Sequence, residues 1–209
     1  INFSIAAGTA LGIIGPSAAG KSTLARVLLG IWPVMSGAVR LDGADIFQWD
    51  REQLGPHVGY LPQDIELFDG TISENIARFG EIDADKIVEA AKLAGVHEMI
   101  LKLPEGYDSR IGAGGGVLSG GQRQRIGLAR AVYGEPKLVV LDEPNSNLDD
   151  VGDAALSAAL AKLKQKGTTL IVISHRTSIL SSVEKLMLLR EGMIADFGDT
   201  RSVIEKLQQ

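Results

Sequence analysis

The chain has 209 residues, of which 45% are hydrophobic and 22% charged, the balance of an ordinary globular protein with room for one large domain or a domain with an insertion. Lys and Arg number 21 against 26 Asp and Glu, and this net charge of −5, with no basic run, gives no electrostatic case for nucleic acid. There is no Cys, which excludes disulfides, thiolate zinc sites and a thiol nucleophile, and no apolar stretch reaches the roughly 18–20 residues that span a bilayer.

Taken in chain order, Ile1–Ile5 reads as strand-like and starts without Met, so the sequence reads as a piece of something longer. Ala10–Ile14 is a short apolar run ending at Gly15, the pattern of a buried strand, and Lys21–Leu29 follows as a helix. Gly37–Leu41 and Val58–Leu61 read as short strands. From Ile72 to Lys102 apolar residues recur at helical spacing, with no strand-like run before Leu138. A glycine-rich stretch at 112–116 precedes a helix over Ser119–Tyr133. Then come a strand at Leu138–Leu141, a helix at Val151–Lys164 and a strand at Thr169–Ile173. Strand-like runs at Glu184–Leu189 and Met193–Phe197 and a helix at Thr200–Leu207 complete the chain. Strands alternating with helices at both ends predict a mostly parallel sheet covered on both faces. The all-helical middle predicts a subdomain over 70–135, set between core segments 1–69 and 136–209.

Three stretches carry chemistry. Gly15-Pro16-Ser17-Ala18-Ala19-Gly20-Lys21-Ser22 fits G-x-x-x-x-G-K-[ST], between a predicted strand and a predicted helix. Its glycines let successive N–H groups curl toward phosphate oxygens, and the helix N-terminus adds partial positive charge. Lys21 supplies a point charge for the β and γ phosphates, Ser22 a hydroxyl for Mg²⁺, and Thr23 reaches the α-phosphate side. Leu138–Glu143 is an apolar strand ending in two acids, placed where a parallel sheet opens its ligand crevice. There Asp142 would hold Mg²⁺ through its water shell, and Glu143 would polarise an attacking water. Leu118-Ser119-Gly120-Gly121-Gln122 opens another helix with a good N-cap. One nucleotide already has its phosphates in the first loop. A second phosphate-gripping loop therefore serves most simply on a neighbouring copy, which makes a two-fold dimer with shared sites.

With these in order, the chain resembles the nucleotide-binding domain of ATP-binding cassette (ABC) transporters. The resemblance runs over all 209 residues: phosphate loop 15–22, Gln63 after Tyr60-Leu61-Pro62, signature 118–122, Asp142-Glu143, Ser146-Asn147-Leu148-Asp149, and His175 after the 169–173 strand. It implies an α/β P-loop NTPase (RecA-like) core with a mostly parallel sheet, an N-terminal antiparallel β portion truncated here, and an inserted helical subdomain. It implies an ATPase with ATP and Mg²⁺ as ligands. Glu143 and His175 are then catalytic, His175 as the switch histidine, and Gly15 to Thr23 bind ATP. Ser22, Gln63 and Asp142 hold the metal, Gln63 as the Q-loop residue. Ser119, Gly120, Gly121, Gln122 and Asp149 reach the partner's ATP, although Asp149 is also a natural N-cap for the next helix. His57 and His97 read as ordinary surface histidines.

Leu67–Ile76 is similar to the exporter form of the segment after the Q-loop. Asn145 and Asn147 stand where most relatives carry Thr, Ser or Ala, and this pair resembles the protease-type branch of bacterial type I secretion exporters. That branch implies a transmembrane domain fused upstream of Ile1, a periplasmic adaptor, an outer-membrane channel, and a place on the cytoplasmic face of the inner membrane. An importer ATPase subunit is the alternative within the family. A DNA- or ribosome-acting relative would need a coiled coil, a second cassette or a basic surface, none of which the sequence has. A nucleotide sensor without turnover is at odds with intact Lys21, Asp142, Glu143 and His175. Two departures stand out. The family's adenine-stacking aromatic lies upstream of the phosphate loop and is not expected among the 14 residues before Gly15, and the loop 111–116 lacks the acid that exporters usually carry there.

Overall fold

The computed structural model describes residues 1–112, 118–180 and 182–208. Strand β1 (Ala10–Ile14) is buried and runs through a loop into helix α1 (Lys21–Leu28). Strands β2 (Arg40–Leu41) and β3 (Ala44–Asp45) form a hairpin around Asp42-Gly43, both at positive φ, as the tight turn between twisted strands requires. Helix α2 (Arg51–Leu54), capped by Asp50, leads into β4 (Val58–Leu61). Strand β5 (Gly70–Thr71) opens α3 (Ile72–Ile76), whose N-terminus is closed by a reciprocal Thr71–Glu74 capping box. Helices α4 (Ala84–Leu93) and α5 (His97–Leu101) follow, then β6 (Arg110–Ile111) and α6 (Gly120–Val132). The remainder alternates: β7 (Leu138–Asp142), α7 (Asp150–Gln165), β8 (Thr169–Ile173), α8 (Thr177–Leu180), β9 (Lys185–Arg190), β10 (Met193–Asp199) and α9 (Thr200–Leu207).

The sheet order is β10-β9-β1-β8-β7-β4, with β9, β1, β8, β7 and β4 parallel and β10 antiparallel on the edge. Side chains alternate across it, as the two-residue period of a strand dictates. Leu11, Ile13, Val140, Ile171 and Ile173 pack with Leu24 and Ala25 of α1 on one face. Val139, Leu141, Leu170 and Val172 pack on the other, against α3, α4, α6 and α7. The central strands β1, β7 and β8 are thus apolar on both sides, which is why the sequence reads there as unbroken hydrophobic runs. One apolar cluster is continuous from this second sheet face through the helices of the middle segment.

The structure corrects three local expectations. Ile1–Ile5 forms no strand; Phe3 instead lays its ring on Phe197 of β10, centroids 5.9 Å apart. The strand expected from Gly37 begins only at Arg40. The middle segment is not wholly helical, because β5 and β6 pair antiparallel and draw Thr71 beside Arg110. The anticipated acid-free loop falls largely on 113–117, outside the described residues.

Two close contacts fix how α6 lies on the sheet. A Cβ on Gly59 of β4 would come 1.9 Å from the Ala131 carbonyl oxygen, so only glycine admits the helix there. Arg78, at φ 58, sends its guanidinium to the carbonyls of Arg130 (2.9 Å), Ala131 (3.1 Å), Gly55 (2.9 Å) and Val58 (3.0 Å). One side chain thereby satisfies carbonyls at the end of α6 and at the approach to β4. Burial lowers the pKa of this guanidinium, with Arg130 adding to the effect.

Candidate active site

Strands β1, β8 and β7 lie side by side and parallel, so the segments that leave their carboxyl ends emerge along one edge. They carry Gly15–Thr23, Ser174–Arg176 and Asp142–Asp149.

The phosphate-loop segment is built by its backbone. Gly15 has φ 152, and a Cβ there would stand 2.1 Å from the Leu189 carbonyl oxygen of β9. Ala18 and Gly20 also lie at positive φ, which turns the chain sharply into α1. The Lys21 ammonium curls back to donate to the carbonyls of Gly15 (2.8 Å) and Pro16 (2.9 Å). Ser22 and Thr23 occupy the first turn of α1, at the positive end of its dipole, with no acidic residue in that turn.

Asp142 ends β7 and is 1% exposed, with neither carboxylate oxygen in a well-formed hydrogen bond. Burial pushes its carboxyl above the usual range; the nearby Ser22 hydroxyl, Arg26 and Lys21 favour the charged form, and Asp64 opposes it. An unpartnered buried carboxylate costs stability, and a cation is the chemically natural partner. Among the described residues no three His, Asp or Glu converge as a cage. Mg²⁺ at Asp142 would therefore complete its shell with Ser22, phosphate and water, as suits a hard ion that keeps its waters. The residues present fit that ion. Gln63 is exposed in the segment after β4, one residue before Asp64.

Glu143 adopts φ 49, a left-handed conformation uncommon outside glycine. Its N–H donates to the Ile173 carbonyl at 2.9 Å, tying it to the end of β8. His175 Nε2 lies 3.2 Å from Glu143 Oε1. Burial raises the Glu143 carboxyl, while His175 counteracts it, Asp142 adds to it, and Lys21 and Arg176 counteract it further. Lys21, Asp142, Glu143 and His175 are therefore brought into one electrostatic neighbourhood.

The signature residues stand at the N-terminus of α6. Ser119 Oγ accepts from the Gln122 N–H (3.2 Å) and Gln122 Oε1 accepts from the Ser119 N–H (2.8 Å), a complete capping box. Gly120 and Gly121 face Asn147, with room for no Cβ on Gly121, since the Asn147 carbonyl oxygen would be 2.9 Å away. Asp149 Oδ1 accepts from the Gly152 N–H at 2.8 Å, the expected N-cap of α7. Sequence reasoning missed Gln124 and Ser174. Both are buried and polar, and both bond to the segments around Glu143 and His175; Ser174 could have been flagged as a polar residue ending an apolar run, whereas Gln124 sits among polar neighbours.

A cleft of about 220 Å³ lies elsewhere, between α4 and the end of α7, where Lys166 bridges Glu89 and Glu135. A phosphate cradle made of backbone N–H groups is an open rim, so this cleft is no guide to it.

A glycine cradle at the end of a central strand and a buried acid two strands away, in a doubly covered parallel sheet, define a P-loop nucleoside-triphosphatase fold. The ABC transporter family pattern matches residues 1–146, and the chain belongs to that family, as one of its ATPase domains. It is 57% identical over 205 residues to the type I secretion system ATP-binding protein PrsD of Rhizobium meliloti, covering 98% of this chain and 35% of that protein. It is 39% identical over 207 residues to the ATP-dependent lipid A-core flippase of Legionella pneumophila strain Paris, covering 98% and 35%. A solved bacterial Atm1-family ABC exporter with ATP bound superposes with a TM-score of 0.90 at 33% identity, covering 98% of this chain and 36% of the exporter. The chain thus spans about a third of the length of these relatives. Among its described residues no helix is long and apolar enough to cross a membrane.

Proposed function

We propose that the chain is the ATP-hydrolysing motor domain of a type I secretion exporter. It works as a head-to-tail dimer of two copies that share two ATP molecules. The observation that carries the chemistry is the convergence of Lys21, Asp142, Glu143 and His175 at the carboxyl edge of adjacent parallel strands. In this reading the loop Gly15 to Gly20, through the backbone N–H groups of its residues other than Pro16, and the Lys21 ammonium hold the phosphates, with Ser22 and Thr23 on the α1 side. Ser22, Asp142 and Gln63 hold Mg²⁺, which when bound neutralises charge developing on the phosphates. Glu143 orients a water and takes its proton as the new oxygen–phosphorus bond forms and the bond to ADP breaks. His175, within reach of Glu143, contacts the γ phosphate.

Ser119, Gly120, Gly121, Gln122 and Asp149 complete the partner copy's site. The assignment to secretion rests on the 57% identity to a type I secretion protein and on the Asn145/Asn147 pair. The domain division follows as a core over 1–69 and 136–209 and a signature-bearing helical part over 70–135. The wider assembly follows too: a transmembrane domain, a periplasmic adaptor, an outer-membrane channel, and a station on the cytoplasmic face of a bacterial inner membrane.

Glu143→Gln tests the chemistry. It keeps shape and hydrogen bonding but removes the charge that polarises water, so turnover should fall about 10²–10⁴-fold while ATP affinity is retained. If hydrolysis is what reopens the dimer, light scattering with Mg·ATP should show dimers accumulating, and with Mg·ADP it should not. Wild-type turnover in the variant would remove Glu143 from the mechanism. An inactive variant that stays monomeric with ATP would sever hydrolysis from opening.

A further inference from the structure

Asn145 and Asn147 are each bonded into a short relay. Asn147 Nδ2 donates to Gln124 Oε1 at 3.2 Å, and Gln124 Nε2 donates to the Glu143 carbonyl at 3.3 Å. Gln124 lies in the second turn of α6, two residues after the signature, and is 1% exposed. On the other side, Asn145 Oδ1 accepts from the Ser174 hydroxyl at 3.3 Å, and Ser174 Oγ accepts from the Arg176 N–H at 3.2 Å. Both Asn145 and Ser174 are buried. The first relay ends on the peptide of Glu143, and the second brackets His175 between its two neighbours. Glu143 and His175 are the pair that meets at 3.2 Å.

We infer that Gln124 and Asn145 are positioning residues for ATP hydrolysis. Gln124, braced by Asn147, fixes the backbone that aims Glu143, and Asn145, through Ser174, fixes the turn that aims His175. The need is physical. Glu143 holds a left-handed φ that its neighbours must enforce. Its N–H is taken by the Ile173 carbonyl, and its carbonyl accepts from the Ser146 N–H at 3.2 Å and from Gln124. Changing the backbone angles at Glu143 would disturb the bonds on both of its flanking peptides and re-aim the carboxylate. A glutamine amide can donate at one end and accept at the other, so with Asn147 as the donor its Nε2 must face Glu143. Gln124 also belongs to the helix that presents Ser119, so a shift of the signature is transmitted to the Glu143 peptide through one side chain. The apolar environment makes these bonds costly to leave unmade.

The inference rests on the proposed roles of Glu143 and His175, and its test separates the two. In the full chain, kcat and KM for ATP would be measured for Gln124→Met, which keeps length without hydrogen bonds, and for Asn147→Ala, at an exposed position where folding is not at risk. Each should lower kcat, Gln124→Met by about tenfold, with KM moving less than about twofold. The double variant should be no worse than Gln124→Met alone. In a Glu143→Gln background, single-turnover hydrolysis should not fall further on adding Gln124→Met. By the same logic, Asn145→Ala should lower kcat in the wild type but not in His175→Ala. Unchanged kcat in Gln124→Met and Asn147→Ala overturns the inference, as does an equal fall in the Glu143→Gln background, which would mark a general structural role. Normal turnover in Glu143→Gln itself overturns the reading of the carboxylate, a different failure seen in a different variant.

Discussion

The ammonium of Lys21 donates to the carbonyl of Gly15 at 2.8 Å, closing the phosphate loop on itself across six residues. Together with the bond to Pro16, this holds the cation against the backbone of the loop. Lys21→Ala removes that charge and the clasp. Charged hydrogen bonds are worth about 1.5–3 kcal/mol, so ATP affinity should drop about tenfold or more in a titration. Far-UV circular dichroism should remain that of the wild type. A folded variant with unchanged affinity would refute the loop's assignment.

Asp142 opposes stability in the service of its site. Its folded-state pKa is raised by burial, so the contribution of its protonated form is full below the ordinary carboxylate pKa of about 3.9. That contribution is lost as pH rises through the higher folded-state value. Asp142→Asn does not titrate, and in the presence of a chelator it should be more stable than the wild type at pH 7, by about 1–3 kcal/mol. The gain should shrink toward pH 4. Thermal melts at the two pH values measure this, and a gain larger at pH 4 than at pH 7 contradicts it. Mg·ATP should raise the melting temperature of the wild type more than that of the variant.

Ser119 is exposed, with its hydroxyl engaged in the capping box of α6. Ser119→Arg should leave ATP binding by the monomer nearly normal and abolish ATP-driven dimerisation, because the large cation would stand where the partner's nucleotide is proposed to sit. Isothermal titration and light scattering on the same samples distinguish the cases. Loss of monomer binding would place the signature in its own copy's site.

Gly59→Ala should destabilise the fold without touching the phosphate loop. The added methyl would meet the Ala131 carbonyl at 1.9 Å, and overpacking of this kind costs about 1–3 kcal/mol. For a chain of this size the melting temperature should fall roughly 2–10 °C. ATP affinity per folded molecule should be kept. An unchanged melting temperature would show that β4 and α6 can part freely.

Much of this was legible in the residues. The glycine loop, the apolar strand ending in Asp142-Glu143 and the Ser119 cap each announce themselves within eight residues or fewer, because local backbone chemistry sets them. The long helices and the buried strands followed from periodicity. What was not legible depends on partners distant in sequence. Ile1–Ile5 has strand composition but makes no ladder. Gly70 and Thr71 become a strand only because Arg110 and Ile111 come alongside. Nothing local marks Arg78, whose guanidinium serves carbonyls 20 to 55 residues away. The Asp42-Gly43 hairpin was a missed local signal. Gln124 could not be distinguished from its polar neighbours until the carbonyl of Glu143 was seen against it.

The contact at Gly59 reaches beyond packing. Helix α6 is clamped at its tail, where the Ala131 carbonyl presses on β4 and Arg78 grips the last carbonyls. Its head is held to the Glu143 and Asn147 segment by hydrogen bonds of the Gln124 amide at 3.3 and 3.2 Å. The helix is a lever with its fulcrum at the far end. At 1.5 Å of rise per residue, thirteen residues give an arm of about 20 Å. A tilt of a few degrees at Val132 therefore sweeps Ser119 through an ångström or more, a displacement comparable to the margin within which hydrogen bonds hold or fail.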